Sequence, residues 1–381
     1  MATTFKSFLN NDVTSTRTLL HESIPITGSI VSGTYNEGYT TNETNIKNFS
    51  HGLFQSVYDY PYLSSSANHI FDLTVGYSND SGLSGSSNTQ NADKINMYNQ
   101  MAQVLMGHDA TGAIRQFDED GDLSAGGSKL KEVFFVNFAR LLNKDEIKKG
   151  SFSLEFGISG SGQTSQNTAD FTGRNFGKRV KAADLSGSTS YLVNSPAGDY
   201  GILYATSSTT DGSTYLTNDR VPVGLVFYQA GIAVVSGSIF RDAANQGVLS
   251  NAVGTVSLGN VLNKTAGATG LHFISGSSIS GSCDAIRNRI YNISFNNTTE
   301  LNSTIYFCRA SHNEFNYSSN PTYLDSSKIR VKDTSLDQPL SYITTVGLYS
   351  ANNELLAVAK VSEPIKKTPD TELTLRVRLD Y

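Results

Sequence analysis

The chain has 381 residues, 38% of them hydrophobic and 17% charged, with a net charge of -5 and a pI near 5.7. That is enough apolar material for real cores in two or three domains, so the chain should be globular. No basic block exceeds the pairs Lys148-Lys149, Lys178-Arg179 and Lys366-Lys367, which argues against a nucleic-acid partner, and the apolar run 221–235 is too short and interrupted to span a bilayer.

Residues 1–37 mix Thr, Ser and Asn with isolated apolar positions (Phe5, Phe8, Leu9, Leu19, Leu20, Ile24, Ile26, Ile30), too sparse for a core of their own. They are expected to form an arm packed on something else. No signal-peptide pattern opens the chain, so the expectation is a product made in a cytoplasm and kept there until it is assembled. From 49 the sequence turns aromatic and holds a strand at 69–77, followed by a Ser/Asn/Gly linker over 78–91.

The clearest helix spans 92–106, with Asn91 as its cap and Gly107 as its stop, and with Ile95, Tyr98, Met101, Ala102 and Leu105 at helical spacing. Met97, Met101 and Met106 cluster on it, and core packing is the favoured reading of that cluster over an adaptable binding surface. An apolar strand is predicted at 132–142, a single helical turn at 143–149, and an alternating strand at 151–158 with Phe152, Leu154, Phe156 and Ile158 on one side.

Residues 160–218 read as long polar loops around short strands such as 200–205. A hairpin follows, 223–228 against 232–235, turning near Ala230-Gly231. The segment 241–270 is rich in small residues and weakly patterned, helical in part. Strands are then predicted at 290–295, 304–310 and 328–331. A hairpin over 342–361 and a final strand at 372–380 follow, in which Leu373, Leu375, Val377 and Leu379 alternate with Thr374, Arg376, Arg378 and Asp380.

The expected fold class is mainly β with minor α (α+β): two or three antiparallel β-modules, one amphipathic helix and an extended N-terminal arm. Its parts are the arm (1–37), an α+β module (38–159) containing the helix 92–106, a loop-rich β-module (160–285) and a C-terminal β-domain (286–381). No internal repeat is present.

Chemistry is hard to find. Cys283 and Cys308 make no disulfide framework, and neither has Cys or His at metal spacing, so both read as buried free thiols. Asp118, Asp120 and Asp122 are weak candidates for holding a hard cation. The glycine of that loop comes two positions too early for an EF-hand, and Lys129 stands where its bidentate Glu belongs, so a solvated acidic loop is the favoured reading. No G-x-S-x-G occurs, and the adjacent pair His108-Asp109 reads as two surface residues at a helix end. The run 173–179 resembles a phosphate loop but has its glycines one residue too close and Arg179 in place of Ser or Thr. The expectation is therefore no catalytic residue, no metal and no cofactor.

The runs Tyr342-Ile343-Thr344-Thr345-Val346-Gly347-Leu348-Tyr349 and Asn352-Asn353-Glu354-Leu355-Leu356-Ala357-Val358-Ala359-Lys360, then Pro364-Ile365 and the basic end strand, resemble virion structural proteins of tailed bacteriophages. Large contractile-tailed phages of marine bacteria, marine cyanophage-like, are the nearest group. The runs Asn313-Glu314-Phe315-Asn316-Tyr317-Ser318 and Phe134-Phe135-Val136-Asn137-Phe138-Ala139-Arg140, with Gly150-Ser151-Phe152, are similar to the same group. The resemblance covers roughly the last hundred residues and is patchy before them. It also extends to hairpins in tail-fibre attachment regions, and it brings no catalytic residues.

What the resemblance implies is a virion protein of the tail baseplate, tail tip or neck that works through contacts with other virion proteins and with copies of itself. Neither nucleic acid nor membrane insertion is expected. The alternative is a receptor-binding or tail-fibre protein that contacts host surface glycans. A hydrolase of the cell envelope has no motif to support it. Interface candidates are Phe5, Phe8, Leu9, Tyr349, Arg376, Arg378 and Tyr381.

Overall fold

The computed structural model describes residues 5–27, 44–85, 87–123, 127–142, 146–160, 176–209, 216–218, 220–250, 274, 277–287, 289–318, 324–325, 328–329, 336 and 338–381. The first strands are β1 (Val13–Thr27), β2 (Ile46–Asn48), β3 (Gln55–Tyr58), β4 (His69–Tyr77), β5 (Glu132–Asn137) and β6 (Glu146–Ile147). They are followed by β7 (Ser153–Gly160), β8 (Phe176–Ala183), β9 (Tyr200–Thr209), β10 (Val221–Phe227) and β11 (Ile232–Ser236). The last are β12 (Ile290–Ala310), β13 (Leu324–Asp325), β14 (Lys328–Ile329), β15 (Ser341–Tyr349), β16 (Leu355–Lys367) and β17 (Leu373–Asp380). Two α-helices occur among the described residues, α1 (Asn91–Leu105) and α2 (Ile279–Arg287). The protein is mainly β with minor α, as the sequence leads one to expect.

Two compact units divide the chain: one comprises Met1–Leu19 and Glu300–Tyr381, the other Leu20–Thr299. In the larger, strands follow the order β12-β7-β8-β9-β10-β11-β5-β4-β3-β2, and every neighbouring pair is antiparallel. The sheet folds back on itself. Phe134 and Phe138 on β5 and just after it meet Phe156 on β7 and Phe295 on β12, with ring centroids 5.6 and 5.3 Å apart, although several strands separate them in the ladder.

Residues 133–136 of β5 and 232–235 of β11 are apolar without interruption because both faces are covered there, the burial pattern that removes period-two alternation. Phe134 and Val136 enter the core enclosed by the sheet, while Val133 and Phe135 join Tyr98, Ala102, Leu105 and Met106 of the α1 region on the other side. α1 lies close on β4 at Gly76, where an added Cβ would stand 2.8 Å from the Lys94 carbonyl oxygen and 2.9 Å from the Tyr98 nitrogen. α2 packs against the opposite face, its Cys283 thiol donating to the Leu73 carbonyl at 3.2 Å.

Several expectations need correction. Asn91 is the first residue of α1, not its cap; Gln90 precedes it in a left-handed conformation (φ 52°), and no side chain caps the helix, although Gly107 ends it at φ 74° as expected. The apolar strand from 132 stops at Asn137, where a turn closed by Leu141 donating to the Phe138 carbonyl begins. The helical turn placed at 143–149 is instead, over its described part, a two-residue strand: Ile147 and Glu146 pair with Asn297 and Thr298, and this long-range ladder overrides local preference.

The strands predicted at 290–295 and 304–310 are one 21-residue strand, β12. The polar run between them looks like a turn by composition, but it is held extended by β6 at one end and by β17 from Ser303 onward. Of the thiols, Cys283 is buried but Cys308 is only half-buried. Residues 173–175 of the run 173–179 fall outside the described residues, as do most of 241–270 and residues 28–37 of the predicted arm.

Candidate functional site

The smaller unit carries all the predicted interface residues. Its centre is the second half of β12, bordered by β1 and by β17. β17 runs antiparallel in the register Ser303↔Asp380 to Ala310↔Leu373. Cross-strand partners share a face, so Leu375, Val377 and Leu379 lie on the side of Thr304, Tyr306 and Cys308, and Arg376 and Arg378 lie on the side of Ile305 and Phe307. Val377 is buried and the three leucines are half-buried, which is the predicted alternation.

Arg378 meets Asp380, Nε to Oδ1 at 2.6 Å, and donates to Ser303 Oγ at 3.0 Å. The Asp380 carboxyl is held below its ordinary range first by the Ser303 hydroxyl and then by Arg378. Arg376 is exposed and has no ion-pair partner among the described residues. Tyr381 extends the ladder, exchanging backbone hydrogen bonds with Asn302 at 2.9 and 3.1 Å, while its ring remains largely exposed.

The first residues lie on this same unit. Phe5 meets Tyr349 edge to face at 4.9 Å, and Phe8 meets Tyr306 at 5.4 Å. Three ion pairs join arm and unit: Lys6 with Glu314, Asp12 with Arg309 at 2.7 Å, and Arg17 with Glu300. The contacts of Asp12, Ser15 and Arg17 with Arg309, Thr304 and Glu300 run in opposite order along the two segments, so β1 is antiparallel to β12. Asp12 is buried; its Oδ2 accepts from the Leu9 amide at 3.0 Å, and its Oδ1 has the charge of Arg309 nearby without an aligned hydrogen bond. Leu9 itself is 67% exposed.

β15 and β16 form a hairpin paired only with each other among the described residues, with a loop of 350–354 and Asn353 at φ 61°. Its base is anchored. Lys367 is fully buried, and its ammonium donates to the His312 carbonyl (3.2 Å), Asn316 Oδ1 (2.7 Å) and the Thr368 carbonyl (2.8 Å); Ser341 donates to the Phe315 carbonyl. Toward its loop Leu355, Leu356 and Val358 are exposed, Leu356 by 69%, and Tyr349 stays exposed although Phe5 meets it; Tyr342, beside the base, is exposed as well. A cavity of about 740 Å³ opens between β15, Phe315 and Tyr317, and the arm residues Phe5 and Phe8.

Sequence reading singles out Phe5, Phe8, Leu9, Tyr349, Arg376, Arg378 and Tyr381, and all seven belong to this unit. It misses Asp12, Glu300, Arg309, Glu314 and Lys367. Isolated charged residues carry no signal until their partners, about 300 positions away, are brought beside them; only the burial of Lys367 sets it apart from any surface lysine.

The acidic loop lies in the larger unit. Oxygens of Asp118, Asp120 and Asp122 come within 4.8 Å of one another. Lys129, the cross-strand neighbour of Asp118, places its ammonium on the buried Asp118 carboxylate, so that charge is met from within the chain. Burial pushes the Asp118 carboxyl up, while the Asp122 amide leads in holding Asp120 down. The Asp109 carboxylate is occupied by Thr111 and the Ala113 amide, so it does not orient His108. Another His-carboxylate pair, His69 Nε2 with Asp72 Oδ1 at 2.7 Å, has its serine on the wrong member: Ser56 donates to Asp72, not to the imidazole.

In comparison with known proteins, the chain matches no family model, no curated protein and no solved structure.

Proposed function

We propose that this chain is a structural component of a tailed-phage virion, in the baseplate, tail tip or neck, and acts through its interfaces with other subunits during assembly. The observation that carries this reading is the β15–β16 hairpin: an ordered element with a buried polar anchor at its root and Leu355, Leu356, Val358, Tyr342 and Tyr349 turned to solvent. A two-stranded ribbon is marginal by itself, and several exposed large apolar side chains on one ordered element are characteristic of a contact surface. The resemblance to tailed-phage proteins rests on the same hairpin and points the same way. In this reading the partners are other virion proteins and copies of the chain itself, the place of action is the virion, and the chain carries out no chemistry.

Gold-labelled antibody against the purified protein, applied to intact particles, tests the reading directly. Label at the baseplate, tail tip or neck supports it. Label along fibres would favour the receptor-binding alternative, and particles without label would overturn both.

A further inference from the structure

The arm is held in an unusual way for a segment that starts with two phenylalanines. Of the residues from Phe5 to Leu20, only Asp12 is buried; every other side chain in that stretch is exposed. Residues 5–20 therefore contribute almost no side chain to a core and are held by pairs: three ion pairs, two ring contacts and the β1–β12 ladder. With so little side-chain burial of its own, residues 5–17 are held chiefly by those pairs.

The pairs are also ordered. Along the arm the charges read positive at Lys6, negative at Asp12 and positive at Arg17, and the unit answers with Glu314, Arg309 and Glu300. Tyr349 and Tyr306 receive the two phenyl rings. A generic apolar peptide would leave Arg309 and the two glutamates unanswered, and a membrane surface presents no fixed order of charges to match them. The segment that matches this sequence of charges and rings is residues 5–17 of this same chain.

We infer that the seat on residues 300–349 receives the arm of a second copy, so that neighbouring subunits are linked by exchange of residues 5–17. Exchange replaces each contact with an identical one, so the contact energies cancel and the outcome depends on concentration and on the geometry of the assembly. This inference rests on the reading of the chain as an assembly component and specifies one of its joints.

Two differently tagged versions of the full chain provide the test, both carrying Cys308→Ala, one with Ser15→Cys and the other with Thr304→Cys. Ser15 Oγ and Thr304 Oγ1 lie 3.5 Å apart, so cysteines there can be joined when an arm occupies a seat. The two are mixed, allowed to assemble, and oxidised. The expected result is a disulfide-linked heterodimer bearing both tags, abolished by removing residues 1–12. Assembly without that product would overturn arm exchange and leave the assembly reading intact. A chain that stays monomeric at every concentration and on virion components would overturn both.

A second experiment avoids cysteines. Asp12→Lys and Arg309→Glu each oppose like charges within one chain, yet in a mixture the arm of the Asp12→Lys variant fits the seat of the Arg309→Glu variant. Recovery of association on mixing, with neither variant associating alone, supports exchange; failure to recover, with the double variant associating normally, sinks it.

Discussion

Asp184 makes a sharp energetic prediction in the larger unit. It follows β8, is buried, and accepts hydrogen bonds from the Gly150 amide (2.7 Å), the Gly187 amide (2.9 Å) and the Tyr228 hydroxyl (2.7 Å). Burial, and then the nearby Asp184 charge, push the Tyr228 phenol upward, so it remains a neutral donor throughout the accessible range. Three segments are thereby fastened at one end of the sheet. Gly187 and Gly201 approach so closely that a Cβ on either would collide with the Tyr228 hydroxyl.

Asp184→Ala leaves two amides and a hydroxyl without an acceptor. A hydrogen bond to a charged group contributes roughly 1.5–3 kcal/mol, and such terms are not additive, so the variant should lose about 3–5 kcal/mol. Asp184→Asn keeps the shape but points an amide at a donor and should cost about 2–3 kcal/mol, while Tyr228→Phe, which leaves both backbone bonds in place, should cost about 1–2 kcal/mol. Urea unfolding gives the order, and hydrogen exchange of peptides containing Gly150 and Gly187 shows where the loss falls. If Asp184→Asn stays within about 0.5 kcal/mol of wild type, or Gly187 keeps its protection in Asp184→Ala, the staple is not what holds this end together.

Other variants test separate parts of the structure. Gly76→Ala should force α1 away from β4, at a cost of about 1–3 kcal/mol visible as a lowered unfolding midpoint, because the obstructing atoms are backbone. Asp80 is opposed by desolvation, but Ser78, Lys131 and Gln116 outweigh it and hold the carboxyl at about 2. Its folded value lies below the unfolded one, so its contribution is complete above about pH 4 and lost as pH falls through about 2. The stability lead of wild type over Asp80→Asn should shrink across that window in acid titrations. Burial of Lys94 lowers its ammonium to about 8. The folded state therefore binds fewer protons than the unfolded chain above that value, and wild type should gain on Lys94→Met between about pH 8 and 10.5 in matched urea curves. Leu356→Glu changes an exposed residue and should move stability by no more than about 0.5 kcal/mol, yet on the proposed assembly role it should abolish incorporation into particles.

Which features are legible in the sequence follows from the range of the forces involved. α1, the 221–236 hairpin and β17 are visible because each carries its own periodicity or punctuation: Tyr98, Ala102 and Leu105 one turn apart, Gly231 at φ 66°, Leu375 and Val377 alternating with Arg376 and Arg378. The β6 strand is not, because Glu146 and Ile147 are extended only through pairing with Thr298 and Asn297. β12 reads as two strands for the same reason: nothing local in its polar middle favours extension, and the neighbours that impose it come from distant parts of the sequence. The candidate site divides in the same way. Aromatic arm residues and the arginine face stand out as residue types, whereas the complementary order of Lys6, Asp12 and Arg17 against Glu314, Arg309 and Glu300 exists only after folding.

That division bears on how the smaller unit works. The arm's side-chain attachments are to residues roughly 280 or more positions away, so its seat is built by the fold and not by neighbours in sequence. In the proposed assembly, where copies stand side by side, neighbouring arms are presented to each seat at a raised local concentration. On the proposed reading the hairpin and the ion-paired arm have complementary parts: Leu355, Leu356 and Val358 would supply adhesive area with little directional information, and the charge order of the arm would supply register.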